Sequence, residues 1–348
     1  MRAATRRLSI AAAGLAMLAG AYTGYWCILA GLLERGALAW IEGRQRHGDA
    51  ITHGTPARRG FPGRVEIVLP APALAVQAAA QTIAVAGERA VVSLDPFAPQ
   101  WLTLSLEGEQ TVVLSGSTRP RRFAGKAERF DLQVRLRLAL LNWSVSVLPT
   151  PATFTVRALT MIDAHAGDRV AVAALDATAD ALPEGALGRR YALAVEDAKP
   201  PASLDLPFAG VVSRAAVDLD VSGSLPAVPT SDDIRAWRDA GGVVEVRRLE
   251  LASGPVRLWG DGTLALDGNG QPIGALTVEI SGYHSALDAL IVHGSLNVIT
   301  ATRLKQLFAV LAGGSINSAK PVRIPLTLQD QVLAAGPIPL MQVPLVVW

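Results

Sequence analysis

The side chains in this 348-residue chain that could do acid–base or metal chemistry are few and scattered. There are five histidines, His47, His53, His165, His284 and His293, and one cysteine, Cys27. Histidine shuttles protons near neutral pH or ligates metals, but metal ligands must be spaced so that they converge. His284 and His293 flank one helix-forming run, and at roughly 100° per residue they fall on different faces. No H-E-x-x-H and no cysteine-rich ligand spacing occurs. Asp261, Asp267 and Asn269 lie among glycines, as calcium ligands do, yet they lack the ligand order and closing glutamate of an EF-hand. Asp267-Gly268-Asn269-Gly270 reads better as a tight hairpin turn, since Asn, Asp and Gly accept positive φ. Nucleophile-elbow, Walker and Rossmann signatures are missing too. The chain is therefore read as a non-enzyme, with no catalytic residues, no metal site and no cofactor.

The residues that stand out are apolar ones. Leu8 to Leu33 is 26 residues without a charged side chain. As a helix it would extend about 39 Å, against roughly 30 Å for a bilayer's hydrocarbon core. Arg2, Arg6 and Arg7 precede it, which by the positive-inside rule keeps the N-terminus cytoplasmic and exports the rest. Two readings stay open. One is an uncleaved anchor spanning 1–33 in the inner membrane, with the bulk of the chain periplasmic. The other is a signal peptide cut at Ala19-Gly20-Ala21. With those three arginines set aside, the remainder carries 29 basic and 30 acidic residues, a net of −1. That balance, with no dense basic run, excludes nucleic acid as a partner. Cys27 lies inside the apolar stretch, so no intrachain disulfide can form.

Beyond Leu33 the pattern becomes one-sided. Leu33, Ala37, Trp40 and Ile41 recur at helical spacing, so residues 34–60 read as an amphipathic helix docked through that stripe, followed by a polar turn at 48–60. From Phe61 the period drops to two. The clearest run is Leu132, Val134, Leu136, Leu138 and Leu140, alternating with Gln133, Arg135 and Arg137. Similar runs follow at Val217-Leu219-Val221, Leu276-Val278-Ile280 and Val322-Ile324-Leu326-Leu328. These are antiparallel strands with one apolar and one wet face. Short helices are expected at 231–240, capped by Thr230 or Ser231; at 286–292, capped by Ser285; and at 301–312, started by Thr300 or Thr302. Val156-Arg-Ala-Leu159 returns as Val246-Arg-Arg-Leu249, a weak hint that 61–348 holds two similar halves dividing near 200–230.

The fold class is thus mainly β: an N-terminal apolar helix, then a long antiparallel sheet with a few short helices. Its apolar face must be covered by something. If open, the groove lined by Leu132, Val134, Leu136, Leu138 and Leu140 would suit the acyl chains of a phospholipid. If closed by a second sheet, the domain is a sandwich and the protein a structural or scaffolding component of the envelope.

The chain resembles the bacterial envelope family known as domain of unknown function 2125. The resemblance rests on Tyr25-Trp26, Trp40-Ile41, Gln45-Arg46-His47-Gly48, Gly60-Phe61-Pro62, Asp267-Gly268, Ile324-Pro325-Leu326 and Gly336-Pro337-Ile338-Pro339-Leu340. Where the family pattern implies a glycine after Asp330, this chain has Gln331. The resemblance implies an anchored envelope protein and no particular activity. The layout is also similar to that of AsmA-like envelope proteins, whose long β-grooves are associated with lipid movement between membranes; that likeness is one of fold, which does not fix function.

Overall fold

A computed structural model of the chain describes residues 2–46, 48–78, 81–116, 120–139, 144–183, 186–201, 210–226, 230–292, 294, 296–311, 321–336 and 338–346. It opens with helix α1 (Arg2–Arg46), followed by β1 (Ala50–Thr52), β2 (Ala57–Arg59), β3 (Val65–Pro70), β4 (Ala73–Ala78), β5 (Gln81–Asp95) and β6 (Ala98–Ser115). Next come β7 (Arg121–Lys126), β8 (Arg129–Ala139), β9 (Ser144–Asp163), β10 (Arg169–Ala181), β11 (Gly188–Lys199) and β12 (Val212–Ser222). Then follow α2 (Ser231–Asp239), β13 (Val244–Ser253), β14 (Val256–Leu266), β15 (Pro272–Ser281), α3 (Tyr283–Val292) and α4 (Val298–Leu311). The chain finishes with β16 (Val322–Gln329), β17 (Val332–Ala335) and β18 (Ile338–Gln342).

All 18 strands form one antiparallel sheet, and among the described residues no second sheet packs on it. From β9 to β18 each strand pairs with the next in sequence, as short connections favour. The ladder passes from β11 to β12 across positions 200–230, so the sheet itself does not divide there. Both copies of the Val-Arg-X-Leu repeat are irregular points of the ladder. Ala158 has φ 50, and the β13–β14 register shifts between Val246 and Leu249.

Alternation across paired strands aligns the apolar residues into rows. Ile67 stands beside Val92, then Leu104, Leu132 and Phe154. The same row continues through Ala177, Leu193, Val217 and Leu249. It ends at Gly260, Val278 and Ile324. At roughly 4.8 Å per strand it runs about 53 Å along the sheet. A parallel row joins Leu94, Leu102, Val134 and Ala152 at one end to Leu219, Val246, Gly262 and Leu276 at the other.

Helix α1 divides its apolar sequence between two duties. Trp26, Leu29, Ala30, Leu33 and Ile41 are buried against Val65, Ile67, Val92 and Leu94. Ala12 to Ala21 is exposed on every side. The 26-residue apolar stretch is therefore not all available to a membrane. Leu8 to Tyr25, 18 residues, precedes the docked part, about 27 Å of helix and close to the minimum for a span. The docking stripe also differs from the expected one. Leu33 and Ile41 are buried and Ala37 half-buried, but Trp40 is 53% exposed. By helical angle Trp40 falls between Leu29 and Leu33 on the docked face, so its exposure does not come from the phase of the stripe. Gly48, at φ 98, ends the helix, and the Arg44–Asp49 ion pair and a Gln45 side-chain bond to the Ile51 carbonyl tie its end to β1. The expected polar turn thus contains two short strands, β1 and β2.

The later helices fall near the expected positions with different starts. Thr230 caps α2 in a full capping box with Asp233. Helix α3 begins at Tyr283, so Ser285 lies inside it, with Ala286 N–H already bonded to the Gly282 carbonyl. Asn297 rather than a threonine caps α4: its side-chain oxygen accepts from the Thr300 N–H at 2.8 Å. Helices α3 and α4 bury Tyr283, Leu287, Leu304 and Phe308 on Val322 and Ile324.

The β16–β17 hairpin turns through Asp330 and Gln331, at φ 49 and 62. Both positions need the left-handed conformation that a type I′ turn demands, which costs a side-chain-bearing residue about 1 kcal/mol. Gln331→Gly should therefore raise the thermal midpoint, by the equivalent of up to about 1 kcal/mol less the extra chain entropy of glycine. A calorimetric scan beside the parent protein measures it, and an unchanged or lower midpoint contradicts the assignment.

Candidate functional site

The candidate site is the apolar face itself. Helix α1 roofs its β3–β5 end, and α3 and α4 roof the end at β15 and β16. Between these roofs, over β10 to β12, the face has no buried cluster on it. Leu193 is 39% and Tyr191 36% exposed there, while Leu175, Val195, Val217 and Leu219 are half-buried. Strands β14 and β15 approach closely at Gly262. A Cβ there would overlap the Ala275 carbonyl oxygen, so only glycine permits the close approach of β14 and β15.

The strand singled out from sequence lies at the shoulder of the opening. Val134 and Leu136 are buried, Leu136 to 3% exposure, and Leu132 is half-buried. Beside them Phe130 and Phe154 meet edge to face at 5.0 Å. Leu138 belongs to β8 but its side chain, like the whole of Leu140, lies outside the described residues. The open centre belongs instead to Tyr191 and Leu193. Sequence reading missed β11 because Ala192 and Ala194 occupy its wet face, which blunts the contrast that marks alternation. Val217 and Leu219 were visible as an alternating run.

The opposite face is tied by cross-strand ion pairs. Arg157 grips Asp176 with two bonds of 2.8 and 2.9 Å, and Arg190 holds Asp220 with two of 2.7 Å. Arg214 bridges Glu196 and Glu250, and Arg248 meets Asp218. The Arg190 bonds hold the Asp220 carboxyl below the usual carboxylate range, against the desolvation that would raise it. Asp163 is held low as well, first by the His165 and Ala166 backbone N–H groups and then by Arg121. The histidines do not converge. His53 contacts the Gly54 carbonyl, His165 sits in the β9–β10 turn and His284 stacks beside Tyr283. His47 and His293 lie outside the described residues. Asp267 spends its carboxylate on the Asn269 and Gln271 N–H groups, as a turn residue does. Among the described residues no three His, Cys, Asp or Glu side chains are grouped to hold a metal ion.

The architecture is that of one apolar helix, long enough to cross a membrane, joined to one large antiparallel sheet. The chain belongs to the bacterial family described as "Uncharacterized protein conserved in bacteria (DUF2125)", matched over residues 26–344. Neither the curated proteins nor the solved structures yielded a match. The match opens at Trp26, the first residue of α1 that the sheet buries. Motifs far apart in sequence also meet here. Trp26 donates to the Gly63 carbonyl at 3.0 Å and packs edge-on against Phe61 at 5.5 Å. Gly60 is required where it stands: φ is 97 and a Cβ would overlap the Arg64 carbonyl oxygen.

These depressed carboxyls fix the acid response. Asp163 and Asp220 titrate lower in the folded protein than in the unfolded chain, so the unfolded chain takes up protons first. Their stabilisation is complete well above the ordinary carboxylate range, about pH 4, and is lost as pH falls through the lower folded values. The thermal midpoint should be flat from about pH 7 to about pH 5 and drop below about pH 4. In Asp220→Asn that drop should be shallower, as pH-dependent melting curves can read.

Proposed function

We propose that this protein is a non-catalytic, inner-membrane-anchored protein of the bacterial envelope, with its N-terminus cytoplasmic and its sheet in the periplasm. In this reading the open trough binds the acyl chains of a phospholipid. One observation carries it: a continuous apolar face roofed at both ends and left bare at Tyr191 and Leu193. An exposed apolar surface of this kind marks a binding site, and an acyl chain laid in it gains about 0.8 kcal/mol per buried CH₂. The three arginines ahead of the apolar stretch support the orientation.

Mass spectrometry of a solvent extract from the purified protein is the direct test, with phospholipid as the expected finding. Leu193→Glu should deplete that lipid while leaving the thermal midpoint nearly unchanged, because its carboxylate stays hydrated at an exposed site. Leu136→Glu should behave oppositely. A carboxylate buried without a partner costs several kcal/mol, a large part of the 5–15 kcal/mol typical of a whole domain. Arg135→Glu, on the wet face, should be mild in both measurements. A parent protein carrying no lipid, with Leu193→Glu indistinguishable from it, would favour the scaffolding role instead.

A further inference from the structure

The same short length of α1 at which the helix passes from exposed to buried is ringed by aromatic side chains from two loops. Tyr22 donates its hydroxyl to the Pro62 carbonyl and stacks on Phe97 with ring centres 6.1 Å apart. Tyr25 donates to the Pro96 carbonyl at 2.7 Å. One turn of helix, about 6 Å, separates Tyr22 from Trp26 and its contacts with Phe61 and Gly63. The two loops are thus bolted to the helix at one level. By register they also lie at the same end of the sheet, past Val65 and past Leu94.

What these bolts hold outward is apolar. Phe97 is 85% exposed, on a turn fixed by its own N–H bonding to the Asp95 carboxylate. Phe61 is 53% exposed, and Arg59 and Arg64 on either side of its loop are exposed too. A soluble surface gains nothing from a phenylalanine presented on a rigid turn. At the interface of a bilayer, aromatic rings and arginines find the partly apolar, anionic layer they prefer.

We infer that the Phe61 and Phe97 loops form a collar seated in the interfacial layer of the membrane that α1 crosses. The collar sets the domain at a fixed height and tilt on the bilayer instead of leaving it to swing from its anchor. Continuity commits the partner to lipid, because the exposed helix entering the collar is part of a helix long and apolar enough to span. The inference rests on the anchor reading, and the experiment separates the two.

The full-length protein, with Cys27→Ser, is reconstituted in vesicles of phosphatidylethanolamine with a minority of phosphatidylglycerol. Single spin labels are attached at Leu15→Cys, Phe97→Cys and His165→Cys in turn. His165 lies in the β9–β10 turn, at the opposite ends of the strands from Phe97. Relaxation by oxygen, which concentrates in lipid, is compared with relaxation by a water-soluble nickel chelate. We expect Leu15 to report the hydrocarbon core, His165 to report water, and Phe97 to be shielded from nickel several-fold relative to His165. Phe97 as open to nickel as His165, with Leu15 in lipid, overturns the collar and spares the anchor. Leu15 in water overturns both. Each labelled protein is melted beside the parent, and an unshifted melt confirms that a wet label is not an unfolded one.

Discussion

A sheet whose strands alternate apolar and polar residues presents an entire face from which water must be excluded, and among the described residues no second sheet does it. The rest of the architecture answers that constraint. Helix α1 covers the first strands, and α3 and α4 cover the last. None of these devices reaches Leu193. A sandwich would have buried every strand of the face equally. Covering only the ends leaves the middle of the row, and not its margins, open.

Helix α1 carries both the sheet and the membrane problem on one stretch of sequence. Its buried residues and its bare ones are equally apolar, and what separates them is position relative to Tyr22 and Trp26. Below that turn Ala12 to Ala21 are exposed; above it, the Trp26 ring and indole N–H are engaged by the Phe61–Gly63 loop. Helix, loop and sheet thus share one junction, so the direction of the exposed helix is set by the same contacts that close the first core.

Much of this was legible because periodicity reports which face a residue occupies. The alternation of Leu132 to Leu138 and of Val322 to Leu328 placed strands correctly, and Thr230 or Ser231 ahead of Asp232 and Asp233 signalled a helix start that the structure reproduces with Thr230 as the cap. Periodicity says nothing of what lies opposite. It could not choose between groove and sandwich, since an alternating strand reads the same whether its apolar face is covered or open. Nor could it divide Leu8 to Leu33, because lipid and a protein core select the same side chains. Trp40 shows the same gap: it is in phase with Leu29 and Leu33, and periodicity did not tell that it stays exposed.

An open trough also raises the question of why the sheet does not fold over and bury it. Collapse would bring β10 and β12 together across the apolar face and would bend the opposite face outward. That face is where Arg157 and Asp176, Arg190 and Asp220, and Arg214 with its two glutamates join neighbouring strands. Each such pair is worth only a fraction of a kcal/mol to about 1 kcal/mol. They recur along adjacent strands, however, and the Arg190–Asp220 pair is doubly bonded with its carboxylate largely shielded from solvent. Opening them all would cost several such terms at once. The wet face is thus tied strand to strand by charge, while the apolar face is covered by helices at its two ends.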